Sequence, residues 1–481
     1  MDTQETICAV STPPGVGGIA VVRLSGSQSL VIAEKIFRKK SPVPLTKLPS
    51  HTVHYGTIVR PETGEILDEV LLMVLRGPRT YTREDMVEIQ CHGGRLPIRR
   101  ILEAILREGG RLAGPGEFTK RAFLNGRIDL TQAEAVMDLI GSTSEREMSV
   151  ALRQIQGGLS REIQDIQESI VSVLAPLEAL LDFPEEEITL DLEGGETDSH
   201  GVQGDGVPIV SSVPPTSVET IRTLHERVGR LIRSYDQGKV LKEGVKTAIV
   251  GRPNVGKSTL LNRFLGEERA IVTAFPGTTR DVLEERILLE GVPLRILDMA
   301  GIRETHDPVE QEGVHRARKA LQDADLILLV LDAGEPLTQE DRDLIEATRN
   351  RNRIFILNKC DKGRTFDDTD FGNDPLLRVS ALDGIGMEAL QKGIPVYIRE
   401  AIWNDEGIEE SPWVLRLRHQ EALKRGEDHL SGFLKAAASR VPLDILSVHL
   451  RGAVDALGEI VGTVTAEDIL DRIFSEFCIG K

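Results

Sequence analysis

The hydrophobic pattern changes period three times along the chain, near Leu130, near Lys246 and near residue 400. Before the first change the apolar runs are short. Ile19-Ala-Val-Val-Arg-Leu24 and Val70-Leu-Leu-Met-Val-Leu75 are strand-like and bounded by Gly and Pro. Asp85-Met-Val-Glu-Ile-Gln90 alternates polar and apolar, then stops at His92-Gly93-Gly94. Pro97 to Glu108 has helical spacing through Ile98, Ile101, Leu102, Ile105 and Leu106. Residues 1–120 therefore predict an α/β domain. Its glycine clusters, at Gly15 to Gly18, Gly93-Gly94 and Pro115-Gly116, read either as turns or as backbone approaching a ligand closely.

After Leu130 the spacing is helical. Leu152, Ile155, Leu159, Ile163, Ile166, Ile170, Leu174, Leu177 and Leu181 predict one long amphipathic helix, which Pro176 can kink. Val218, Ile221, Leu224, Val228, Leu231 and Tyr235 predict another. Between them, 193–217 is rich in Gly, Ser, Pro and Asp and reads as a mobile loop. Further helices are expected over Trp413 to Ser439, Pro442 to Ile460 and Thr465 to Phe477, the last opened by a Thr465-x-x-Asp468 capping box. These segments make a helical-bundle domain of 121–244 and 401–481.

A third pattern, over 245–400, sits inside that helical domain. Lys246 to Val250 is an apolar run, and Leu294 to Asp298, Leu326 to Leu331 and Ile354 to Leu357 are apolar on both faces, as buried parallel strands are. Helical segments separate them. The expectation is an inserted, Ras-like doubly wound P-loop domain, within a chain of class α/β plus all-α.

Composition narrows the setting. The 481 residues carry a formal net charge of −18, which argues against a generic nucleic-acid coat and leaves room for a local basic patch. The four cysteines form neither a C-x-x-C pair nor a zinc pattern, and fit a reduced cytoplasmic protein. The first residues lack a secretion signal, and no apolar run is long enough to span a membrane. Cys478-Ile-Gly-Lys481 formally fits a prenylation box, but Gly and Lys are poor residues there.

The chemistry lies in the insert. Gly251-Arg-Pro-Asn-Val-Gly-Lys-Ser258 fits G-x-x-x-x-G-K-[ST] between a strand and a helix. Its backbone N–H groups, from Asn254, Val255, Gly256 and on to Thr259, converge on phosphate. Lys257 reaches the β- and γ-oxygens, and the Ser258 hydroxyl suits Mg2+. Asp298-Met299-Ala300-Gly301 follows a strand. The Asp298 carboxylate can hold Mg2+ through water, and the Gly301 N–H can reach the γ-phosphate. In Asn358-Lys359-Cys360-Asp361 the Asp361 carboxylate matches the N1–H and N2–H2 donors of guanine, a pair that adenine lacks. Ser380-Ala381-Leu382 suits the loop that touches guanine O6. The switch stretch Thr273-Ala274-Phe275-Pro276-Gly277-Thr278-Thr279 offers a hydroxyl, Thr279, to complete the Mg2+ shell. Ile302 occupies the place where Ras-like GTPases carry a water-orienting Gln, so another group must act. Arg303, Glu304 and Glu310 are near. Arg280 reads either as an arginine finger or as a solvated partner of Asp281.

With these motifs in place, the chain resembles the MnmE (TrmE) family of tRNA-modification GTPases over essentially its whole length. The resemblance rests on the phosphate loop, on Pro276-Gly-Thr-Thr-Arg-Asp281, on Pro115-Gly-Glu-Phe-Thr-Lys-Arg-Ala-Phe-Leu-Asn125 and on Phe477-Cys-Ile-Gly-Lys481. It implies an N-terminal domain that binds a tetrahydrofolate derivative (5-formyltetrahydrofolate-like) and mediates homodimerisation. It also implies a MnmG-type FAD protein as partner in a heterotetramer. The two modify C5 of the wobble uridine of certain tRNAs with an aminomethyl or carboxymethylaminomethyl group. The resemblance further implies K+ in place of an arginine finger, with Asn254, Thr278 and the carbonyls of Thr273 and Phe275 as its ligands. Ser258 and Thr279 would ligate Mg2+, and Glu310 would position the attacking water. Arg23, Glu88, Arg127 and Lys481 match the folate-binding positions, and Cys478 the near-terminal cysteine. Met299 departs from the usual Thr, and the 193–217 loop is longer than usual. The rival expectation is a ribosome-assembly or regulatory GTPase switch without modification chemistry.

Overall fold

The computed structural model describes residues 5–182, 214–267, 285–297, 321–363, 371–372, 374–402, 414, 416–439, 441–464 and 467–480. The chain forms two compact units. The first takes its described residues from Met1–Met137, Gln154–Ser212 and Ser439–Lys481; the second takes them from Asp138–Arg153 and Val213–Ala438.

In the first unit a seven-stranded sheet is built from β1 (Ile7–Val10), β2 (Ile19–Ser25), β3 (Phe37–Arg38), β4 (Thr52–Val59), β5 (Ile66–Leu75), β6 (Met86–His92) and β7 (Arg111–Leu112). Their spatial order is β3-β4-β5-β6-β2-β1-β7. All neighbours are antiparallel except β1 and β7. Strand alternation sends Val70, Leu72 and Val74 into the core while Leu71 stays exposed. Helices α1 (Ser29–Ile36) and α2 (Arg95–Arg107) close that face through Ile32, Ala33, Ile101 and Ile105. The other face carries Ile7, Ala9 and Met86 against Phe118 of α3 (Glu117–Leu124).

Helices α4 (Leu130–Gly141), α5 (Glu145–Ile155) and α6 (Gly158–Asp182) follow. The expected single helix across 152–181 is two helices. Gly157 turns the chain at φ 82°, and the Gln132 side-chain amide donates to the Ile155 carbonyl at 2.7 Å, capping the broken end. Pro176 lies inside α6, which continues past it.

In the second unit α7 (Pro215–Glu243) enters the sheet domain. The expected loop therefore ends earlier than 217, because Pro215 opens the helix with its fixed φ; 193–213 lie outside the described residues. Strands β8 (Val245–Val250), β9 (Glu285–Leu289), β10 (Val292–Ile296), β11 (Leu326–Asp332), β12 (Arg353–Asn358) and β13 (Leu376–Arg378) take the order β13-β12-β11-β8-β10-β9. Only the edge strand β9 is antiparallel to its neighbour. Along β11, Leu326, Leu328 and Val330 join one core and Ile327, Leu329 and Leu331 the other. A sheet covered on both faces needs this continuous apolar run. Helices α8 (Lys257–Glu267) and α9 (Gln339–Ala347) lie between strands in sequence, and α10 (Met387–Tyr397) follows β13.

The remaining α-helices among the described residues are α11 (Leu417–Ala438), α12 (Leu443–Val461) and α13 (Glu467–Ser475). Helix α7 packs on α11 in the second unit, and α6 on α12 in the first. The expected cap residue Thr465 lies outside the described residues. No described helix is long and apolar enough to cross a membrane.

Candidate functional site: a phosphate loop clasped to a base-reading turn

Strand β8 delivers the chain to Gly251 and α8 carries it away from Lys257. Side chains are excluded at both glycines. A Cβ on Gly251 would lie 2.3 Å from the Val330 carbonyl oxygen, and one on Gly256 would lie 2.2 Å from Nδ2 of Asn358. Gly256 also holds φ 98°. The loop is thus pressed against the ends of β11 and β12, with no room for a side chain at either glycine.

Lys257 is folded into this loop, where Nζ donates to the carbonyls of Gly251 at 2.7 Å and Arg252 at 2.8 Å. Burial lowers the pKa of its ammonium. Ser258 is half-buried in the first turn of α8, Thr259 is exposed, and Val255 is buried beneath the loop. Asn254 is exposed and adopts the left-handed conformation at φ 64°.

The base-reading turn is fastened to this loop. Buried Asn358, the last residue of β12, donates from Nδ2 to the Val255 carbonyl at 2.8 Å. Its Oδ1 accepts from the Ala381 N–H at 3.0 Å. Lys359, at φ 62°, donates from Nζ to the Asn254 carbonyl and to Asp332 Oδ2, each at 2.7 Å. Asp361 stands exposed on the short turn Cys360–Lys362. Ser380 is buried, with its hydroxyl donating to Asp383 at 2.9 Å, and Leu382 is exposed. The structure therefore gathers Asn254, Val255, Gly256, Lys257, Ser258, Asn358, Lys359, Ala381 and their neighbours at one end of the parallel sheet. Thr273 to Thr279, Asp298, Met299, Ala300, Gly301, Glu310 and Lys481 lie outside the described residues. Asp332 was not anticipated; its signal is its register opposite Asn358 at the end of β11.

The N-terminal positions also meet. Arg23 and Glu88 face each other across β2 and β6. Nε and Nη2 of Arg23 both reach Glu88 Oε1, at 2.9 and 2.7 Å. The Arg23 guanidinium lies 5.6 Å from the Tyr81 ring centre and that of Arg127 lies 4.7 Å from it. Arg127 also donates to the Tyr81 carbonyl at 2.9 Å. Tyr81, absent from the sequence reading, thus lies against both arginines. The C-terminal segment is fastened to this domain: the Gly116 N–H donates to the Cys478 carbonyl and Ser11 Oγ to the Gly480 carbonyl. Cys478 is exposed, whereas Cys8 and Cys91 are buried, with burial pushing each thiol up to about 11.

A strand–loop–helix phosphate cradle clasped to an Asn-Lys-x-Asp turn defines a guanine-nucleotide P-loop GTPase. The family model described as "MnmE helical domain" matches residues 130–478, and that of "GTP-binding protein TrmE N-terminus" matches 6–127. The chain belongs to the MnmE (TrmE) family of tRNA modification GTPases. It is 45% identical to the "tRNA modification GTPase MnmE" of Ligilactobacillus salivarius, over 99% of this chain and 98% of that one. To the relatives of the same name from Moorella thermoacetica and Geotalea uraniireducens it is 45% and 44% identical, over 99% and 100% of this chain and all of each relative. Among solved structures it is similar to the G domain of the T. maritima FeoB iron transporter (26% identity, TM-score 0.24, 32% of this chain and 98% of that one). It is also similar to a variant of Aquifex aeolicus Era bound to GDP·AlF4− (30%, 0.25, 38% and 65%).

Proposed function

We propose that this GTPase works with a MnmG-type FAD protein to build an aminomethyl or carboxymethylaminomethyl group on C5 of the wobble uridine of certain tRNAs. The observation that supports a nucleotide-driven cycle is the Asn358 clasp, which makes base recognition and phosphate binding one mechanical unit. The working assembly is a homodimer of this chain joined to the flavoprotein as a heterotetramer, in the cytoplasm. Its domains are 1–120 for folate binding and dimerisation, 121–244 with 401–481 as the helical domain, and 245–400 as the GTPase.

The residues present fit the groups this chemistry needs. Gly251 and Gly256 let the loop backbone close on Val330 and Asn358, and Lys257 places its ammonium within the loop. Ser258, with Thr279, is the Mg2+ ligand set. Asn254, Thr278 and the carbonyls of Thr273 and Phe275 are the K+ set. A K+ ion bound there supplies the positive charge that an arginine finger supplies elsewhere. Glu310 orients the attacking water in place of the glutamine that Ile302 cannot replace. Asp361 selects guanine through two donors on its edge. In the N-terminal domain Glu88 presents acceptor oxygens to the ring donors of a tetrahydrofolate derivative, while Arg23, Arg127 and Lys481 meet its carboxylates.

Hydrolysis measured in matched KCl and NaCl tests the cation set. Much faster turnover in KCl is expected. Equal rates would move the charge to a protein cation such as Arg280.

A further inference from the structure

Asp332 takes no part in the chemistry proposed for the nucleotide site, yet it closes a relay that ends at the phosphate loop. β11 and β12 run parallel with Asp332 opposite Asn358, so both strands deliver their last residues to the same end of the sheet. Asp332 is buried there, 7% exposed. Its Oδ1 accepts from the Gly334 N–H at 3.0 Å, which fixes the carboxylate on its own turn. Its Oδ2 accepts from Lys359 Nζ at 2.7 Å. The same ammonium donates to the Asn254 carbonyl at 2.7 Å. One lysine thus spans from a buried carboxylate to an exposed residue of the phosphate loop.

Both residues joined by that lysine contact hold strained backbone. Among the described residues, five that are not glycine have positive φ, and Asn254 at 64° and Lys359 at 62° are two of them. Left-handed backbone costs free energy in a residue with a side chain, and it persists where neighbouring contacts impose it. At Asn254 such a contact is visible in the hydrogen bond from Lys359. That bond depends on Asp332 in turn. The Lys359 side chain is 28% exposed, and a part-buried ammonium facing only a neutral carbonyl would gain by turning to water. Paired with Asp332 it stays. The other cation of this stretch is engaged elsewhere: Arg252 pairs with Glu335, and its Nε lies 3.4 Å from Asp341 Oδ2.

We propose that Asp332 is a positioning residue for the monovalent cation of this GTPase. Through Lys359 it holds the Asn254 carbonyl, and with it the left-handed turn from which the Asn254 amide is aimed at K+. Side-chain direction follows backbone φ, so releasing the turn moves the amide. The inference rests on the reading of Asn254 as a K+ ligand, and adds to it a residue that acts only through another.

The test is thermal melting of the full-length protein with saturating GDP and aluminium fluoride, in KCl rising against NaCl at constant total salt. A ligand of the folded state raises the melting temperature in step with its concentration over Kd, so fitting the rise gives a Kd for K+. That Kd should increase by about tenfold or more in Asp332→Ala, which removes both the counter-charge and the acceptor. It should increase by about threefold in Asp332→Asn, whose amide oxygen still accepts from Lys359. The half-activating K+ concentration for GTP hydrolysis, measured in parallel, should move by the same factors. A merely structural role lowers the melting temperature in NaCl alone and leaves the fitted Kd in place, and that outcome overturns the proposal. Where Asp332→Ala does not fold, Asp332→Asn carries the test, and an unmoved Kd there overturns the proposal equally. If the wild type gains neither stability nor turnover from K+, the cation reading falls and this inference with it. If the wild type responds and both variants follow its curve, this inference alone falls.

Discussion

Asn358 Nδ2 donates to the Val255 carbonyl oxygen at 2.8 Å, tying the Asn358–Asp361 turn to the Gly251–Ser258 loop. The bond spans 103 residues of sequence. With the Ala381 N–H on its other end, one buried amide joins three loops.

Truncating that amide leaves two buried backbone groups without their partner. Asn358→Ala should cost about 1–3 kcal/mol for each stranded group. The melting temperature of the nucleotide-free protein should fall, and GTP affinity with it. An unchanged melting temperature with normal affinity would mean that the clasp is dispensable.

On the proposed reading, guanine choice rests on a different group. Asp361 is exposed and positioned by its turn, so Asp361→Asn should leave the melting temperature nearly unchanged while GTP affinity drops strongly. Competition by xanthosine triphosphate, whose ring offers an acceptor where guanine offers a donor, should rise in the variant. Full GTP affinity in Asp361→Asn would remove this residue from base recognition.

On the proposed reading, catalysis separates from binding at Glu310. Glu310→Ala should lower turnover greatly with little change in GTP affinity, as loss of a group that acts only in the transition state does. Weakened binding with normal turnover would assign it a ground-state role.

The N-terminal domain carries its own pH dependence. Glu117 is buried between Arg111, at 2.6 Å, and Arg121, at 3.1 Å. Burial works to raise its pKa, but the bonds from Arg111, the Gly114 N–H and Arg121 outweigh it, and the carboxyl titrates below its ordinary value of 4.5. A depressed carboxyl adds stability that is complete above the unfolded value and lost as the pH falls through the folded one. Thermal unfolding should therefore become easier below about pH 4.5. Glu117→Gln should flatten that fall while lowering stability at neutral pH. An unaltered acid limb in the variant would locate the acid sensitivity elsewhere.

The parts of the fold carried by contiguous residues were legible in the sequence. β11 announces itself because a buried parallel strand must be apolar on both faces, and the phosphate loop because its glycines and Lys257 are adjacent. β4 was not legible, since His54, Tyr55 and Gly56 interrupt its alternation. The break at Gly157 was hidden because Ile155 and Leu159 keep helical spacing across it, and only the Gln132 cap reveals the turn. Arg23, Glu88 and Arg127 were recognised through family motifs. Tyr81, which lies against both arginines, was missed because its partners come from a strand and a turn distant in sequence. Asp332 was missed for the same reason: its partner Lys359 comes from the next strand over.

Modification of the wobble uridine by this GTPase is tested most directly by nucleoside mass spectrometry of tRNA from a deletion strain, complemented with the wild-type chain or with Lys257→Ala. The account predicts that C5-aminomethyl or carboxymethylaminomethyl uridines vanish on deletion, return with the wild type and stay absent with the variant. Unchanged wobble uridines in the deletion strain would contradict it.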